Sequence, residues 1–147
     1  MKPTQDERTM AVLAHALQMV GWWIAPLVIF LVRRRSRFVS FHALQVLLLQ
    51  GAYFLATMVL IVVWIAVIFS QVFQAQSGQH PVAPPPAIFL LFPLIWLFFM
   101  GCWVMMLILA ILYSIKAGRG EWAEYPVLGP LARRILNIGP GGAPGQA

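Results

Sequence analysis

Three uninterrupted apolar runs dominate the chain, from about Met10 to Val32, Phe41 to Phe73 and Ala87 to Ile115, and none contains Asp, Glu, Lys or Arg. A helix on the surface of a soluble protein carries a polar stripe along one side. These runs have none. A bilayer core of about 30 Å is crossed by about 20 helical residues at 1.5 Å each, so each run is long enough. The pattern predicts an all-α integral membrane protein, a bundle of three transmembrane helices.

The breaks between runs sharpen this. Ser40 is placed to cap the second helix. Pro26 and Pro93 each remove a backbone donor and predict kinks in the first and third helices. Gly21 lies close to Pro26, and a competing arrangement lays residues 6–20 along the interface and makes residues 21–32 re-entrant. Residues 74–86 hold six polar or glycine positions followed by a proline-rich stretch and predict a loop. Residues 1–9 form a short tail, and residues 10–137 a single membrane domain. Residues 130–137, opening on Pro130, predict a short amphipathic helix. The Gly/Pro-rich end, 138–147, predicts a disordered tail.

Composition agrees: 61% of the 147 residues are hydrophobic and 10% charged, against roughly 25% charged in a soluble domain. The net charge of +6 would suit nucleic acid in a soluble protein. Here the cations abut apolar runs, where they set orientation, so no nucleic-acid partner is expected. With three crossings, Lys2 and Arg8 face one side, and Arg33, Arg34, Arg35, Arg37, Lys116, Arg119, Arg133 and Arg134 the other. The positive-inside rule makes that second side cytoplasmic and the amino terminus external. The two acids in the amino-terminal tail and the long run after it read as an uncleaved anchor rather than a signal peptide. A bacterial inner membrane is the expected location.

Polar residues inside the runs are the candidates for chemistry. His15 and Gln18 lie three apart on one helical face, and His42 and Gln45 repeat the spacing in the second run. Gln50 lies deeper. In lipid such groups turn toward one another, and helical rise places Gln18 and Gln50 at similar depth, where their amides can bond as helix glue. Two histidines with no acid or thiol beside them make a poor metal site, and the single cysteine, Cys102, permits no internal disulfide. No nucleophile, base and orienting acid assemble within the runs, and no phosphate-cradling glycine loop is present. Neither an enzyme nor a cofactor is expected. Arg33, Arg34, Arg35 and Arg37, with Arg133 and Arg134, are the expected contacts to anionic lipid or a partner. Trp122 and Tyr125 fit an interfacial belt.

The blocks Glu7-Arg8-Thr9, Ala14-His15, Phe38-Val39-Ser40-Phe41-His42-Ala43-Leu44-Gln45 and Ile115-Lys116-Ala117-Gly118-Arg119-Gly120-Glu121-Trp122, followed by Tyr125-Pro126, resemble a bacterial family of small membrane proteins of unknown function. That family is related to the chloroplast inner-envelope import component called Tic-twenty. The resemblance implies a helical membrane fold and, from the plastid relatives, a part in protein translocation. The functional expectation is a small non-enzymatic membrane protein that assembles with itself or other membrane proteins. An oligomeric pore or transport subunit is the alternative, and a membrane-embedded enzyme the third reading.

Overall fold

A computed structural model describes residues 2–76 and 86–139, whose regular elements are helices, with no strand among the described residues. Five α-helices follow in order: α1, Gln5–Ala16; α2, Ile24–Val32; α3, Arg37–Gln76; α4, Pro86–Gly118; and α5, Leu128–Leu136. A short 3-10 turn, Leu17–Met19, links α1 to α2. Among the described residues, two helices are long and apolar enough to cross a membrane, α3 and α4. Both extend beyond the predicted runs, and Pro93 lies inside α4. The loop expected at 74–86 falls mostly outside the described residues.

The first run is not one helix. It breaks at residues 20–23, where Trp22 adopts φ +48°, a left-handed conformation that costs a non-glycine residue roughly 1–2 kcal/mol. Gly21 sits where an added Cβ would come within 2.7 Å of Ala25 Cβ. Pro26 is then the third residue of a new helix, where its missing N–H is one of the orphan donors of a first turn. It stands in a helix start rather than at a kink.

The break turns the chain back on itself. Asp6 in α1 pairs with Arg33 just after α2, at 2.9 Å, and the Ser36 hydroxyl donates to the Glu7 carboxylate at 2.6 Å. Glu7 is also part of a capping box with Thr4 at the start of α1. Ser36, not Ser40, caps α3, its oxygen accepting the Val39 N–H at 3.3 Å. A carboxylate at this position also faces the positive end of the α3 dipole.

The chain forms two compact units, Met1–Ala52 with Met106–Ala147, and Tyr53–Met105. In the first, small residues let backbones approach: Ala11, Ala43, Ala117 and Ala132 are fully buried. Ala11 and Ala117 pack with Phe38, while Phe41, Ala132 and Ile138 form a second cluster. Trp122 touches both clusters and stacks edge-on against Phe38, so it is a packing residue rather than a belt residue. Ile138, expected in the disordered tail, is buried; residues 140–147 lie outside the described residues. The second unit exposes large apolar side chains along α3 and α4, including Phe69, Phe73, Phe89 and Trp96. Within it, Leu60, Trp64, Phe92 and Trp96 border an apolar groove of about 230 Å³.

Candidate functional site: a buried histidine and glutamine cluster

The five intramembrane polar candidates, His15, Gln18, His42, Gln45 and Gln50, are all buried in the first unit. Helical spacing put His15 with Gln18 and His42 with Gln45. The tertiary fold adds Tyr125, from the segment between α4 and α5, and joins the two histidines directly.

His15 Nδ1 lies 3.0 Å from the Tyr125 hydroxyl, His15 Nε2 lies 3.0 Å from His42 Nδ1, and His42 Nε2 lies 3.2 Å from the Glu121 carbonyl oxygen. A carbonyl only accepts, so His42 carries its proton on Nε2, and its Nδ1 accepts when the ring is neutral. His15 then donates from Nε2, and its own Nδ1 accepts from the Tyr125 hydroxyl. One arrangement of protons thus satisfies every group with both imidazoles neutral. All four ring nitrogens are occupied, so a metal could bind only by displacing one of these bonds.

Gln45 is held at both ends of its amide: Nε2 donates to the Ala123 carbonyl at 3.2 Å, and Oε1 accepts the Tyr125 N–H at 2.7 Å. It clamps the loop that presents Tyr125. Tyr113 in α4 donates to the Glu124 carbonyl at 2.6 Å and packs edge-on against the Tyr125 ring, the centroids 4.3 Å apart. Burial pushes the Tyr125 hydroxyl above the ordinary phenol range, which keeps it a donor.

Gln18 and Gln50 do not bond side chain to side chain. Gln50 Nε2 donates to the backbone carbonyl of Gln18 at 3.3 Å. In a continuous helix that carbonyl would bond to the amide of Trp22; the break leaves it to Gln50. Among the described residues, both polar atoms of the Gln18 side chain and Oε1 of Gln50 have no hydrogen-bond partner. The Gln18 amide lies near enough to Tyr125 to affect its ionisation, yet makes no bond of ordinary geometry with it.

The arginines divide by role. Arg133 bonds to Glu124 through Nε at 2.6 Å and lies over the Phe41 ring, so it holds α5 in place. Arg33 is paired with Asp6. Arg34, Arg35, Arg37 and Arg134 are exposed. Sequence reasoning missed Tyr113, Tyr125, Glu7 and Glu124 as members of polar networks. Tyr125 stood in a block already singled out, beside Pro126, but its neighbours along the chain give no sign that it is buried.

No curated protein and no solved structure matches the chain. A family model matches it over residues 6–132, and this overturns the resemblance to the Tic-twenty relatives. The blocks that carried that resemblance meet in space as the His42, Gln45, Trp122 and Tyr125 packing, a requirement of this helical core that short motifs express without identifying a family. The chain belongs to the MamF/MmsF family, the magnetosome magnetite crystal formation protein family.

Proposed function

We propose that this protein acts in magnetite crystal formation as a non-enzymatic organiser within the magnetosome membrane, crossing it twice through α3 and α4. The α1 to α2 segment enters from the charged side and returns to it. The observation that carries this reading is the contact of the segment's two ends, Asp6 with Arg33 at 2.9 Å and Glu7 with Ser36 at 2.6 Å. Neither half suffices for a crossing: 12 residues of α1 span about 18 Å and nine of α2 about 14 Å, at 1.5 Å per residue, short of about 30 Å.

With two crossings, every Lys, Arg, Asp and Glu of the chain falls on one side, because residues 38–115 contain none. The positive-inside rule makes that side cytoplasmic. Three of the four acids are engaged within the fold, Asp6 with Arg33, Glu7 with Ser36 and Glu124 with Arg133. Support for an organising role comes from the exposed apolar faces of the second unit, which suit lipid and other helices, including those of further copies. The alternative, an oligomeric transport subunit, draws on the three unpartnered amide atoms of Gln18 and Gln50.

Single cysteines introduced by Lys2→Cys, Arg35→Cys and Ser77→Cys in a Cys102→Ala background test the topology. The expected result is labelling of the first two from one side and of Ser77→Cys from the other. Labelling of Lys2→Cys and Arg35→Cys from opposite sides restores three crossings and defeats the reading. For the role itself, deleting the gene in a magnetite-forming host should change crystal size or number under the electron microscope; unchanged crystals defeat it. Solute flux in liposomes, lost on Gln18→Leu, would favour the transport alternative.

A further inference from the structure

A cavity of about 520 Å³ opens where α1, the end of α2 and the start of α3 meet. Three arginines and two carboxylates line it: Arg33, Arg34 and Arg35 with Asp6 and Glu7. The carboxylates are spoken for, Asp6 by Arg33 and Glu7 by the Ser36 hydroxyl and the Thr4 N–H. Among the described residues, Arg34 and Arg35 have no ion pair; their two positive charges stand against the one negative charge that Glu7 keeps, so the lining carries a net charge of plus one.

We propose that this cavity binds the phosphodiester of an anionic membrane lipid, with Arg34 and Arg35 on the phosphate oxygens. This rests on the membrane reading above and gives its charged side a ligand. The charges match: a phosphodiester brings one negative charge. The chemistry matches as well, since guanidinium groups take phosphate oxygens through paired, charge-assisted hydrogen bonds. Position is the third match. Arg37 opens α3, and no further charge follows until Lys116, so the cavity sits where the hydrocarbon ends and head groups begin.

Free phosphate offers the same oxygens, and the apolar part of the lining separates the two sources. Leu31 and Val32 border the cavity and are 50% and 72% exposed. An acyl chain covers such side chains; an inorganic ion leaves them bare. The occupant is therefore a lipid held at head group and chain together.

Native mass spectrometry of the full chain released from detergent, with phosphatidylglycerol or phosphatidylcholine added, tests this. The expected result is retention of phosphatidylglycerol over phosphatidylcholine. The Arg34→Gln/Arg35→Gln variant should bind it roughly tenfold more weakly, the loss of about one charge-assisted contact or more. Arg119→Gln/Arg134→Gln removes the same net charge elsewhere and should leave binding unchanged. Equal loss in both variants means diffuse attraction and overturns the site. Displacement of the lipid by inorganic phosphate assigns the arginines to a free anion and overturns the lipid. Thermal unfolding of each variant checks that the fold is intact; should Arg34→Gln/Arg35→Gln fail to fold, Arg34→Lys/Arg35→Lys, which keeps charge but loses the paired geometry, gives the same readout. Lipid retention in detergent does not depend on sidedness, so a failed topology test and a failed lipid test are distinct.

Discussion

His15 Nε2 and His42 Nδ1 stand 3.0 Å apart, one ring edge-on to the other, and this bond ties α1 to α3 at the centre of a network that runs from the Tyr125 hydroxyl to the Glu121 carbonyl. Its direction is imposed at one end by a carbonyl that can only accept. The network joins three segments, and the Gln45 bonds to Ala123 and Tyr125 hold two of them in the same register.

Removing both rings should cost less than the two single losses added together. His42→Phe strands the His15 N–H in a buried site and takes the partner from the part-buried Glu121 carbonyl, and the expected loss is about 1–3 kcal/mol for the buried group, with less from the carbonyl. The double variant His15→Phe/His42→Phe leaves two orphans, the Tyr125 hydroxyl and the Glu121 carbonyl, as many as either single variant alone, so its loss should fall short of the sum of the single losses. Denaturant unfolding in mild detergent checks this; strict additivity would mean that the two rings do not couple.

Acid should loosen the junction of α1 and α3. The Ser36 hydroxyl, then the Thr4 backbone N–H and the charge of Arg33, hold the Glu7 carboxyl below its ordinary value of 4.5. A lowered folded pKa means stability that is complete above that ordinary value and is lost as pH falls through the folded one. Thermal midpoints measured from neutral pH downward should fall for the native chain, and Glu7→Gln should start lower and lose part of that dependence.

Two glycine replacements should act in opposite directions. A Cβ at Gly129 would lie 2.5 Å from Glu124 Cβ, so Gly129→Ala should push α5 off its seat and cost about 1–3 kcal/mol. A Cβ at Gly51 meets nothing within 4 Å, and Gly51→Ala should be neutral or stabilising by up to about 1 kcal/mol. Paired unfolding curves read both.

Relieving the left-handed residue at the break should stabilise the fold. Trp22 is 62% exposed, so Trp22→Gly removes little packing and relieves φ +48°, with an expected gain of about 1 kcal/mol. A lower melting temperature for Trp22→Gly would mean that the indole anchors the segment more strongly than the backbone strains it.

The helical class and the two long helices were legible because a charge-free run of this length has one stable form in lipid, with every backbone group bonded within its own helix. The polar candidates were legible for the same reason: His15, Gln18, His42, Gln45 and Gln50 stand out against an apolar background, and all five are buried. The first run stayed open between a kinked helix and a break at Gly21, because apolar content measures the cost of leaving water and not the continuity of a helix; the chain breaks there. Gly21 and Pro26 were visible as a pair, yet whether they kink or break a helix depends on whether the turned chain finds contacts on its return.

The sequence by itself therefore determined what this protein is made of: apolar helices, a charge-free interior from residue 38 to residue 115, and a few polar side chains obliged to find partners. Only the tertiary structure decided who those partners are. Glu7 meets Ser36 and His15 meets Tyr125 across 29 and 110 residues of chain. Hydrogen bonds at such separations have no periodicity to betray them, because they are set by how closely alanine-lined backbones can pack and not by spacing along any one helix.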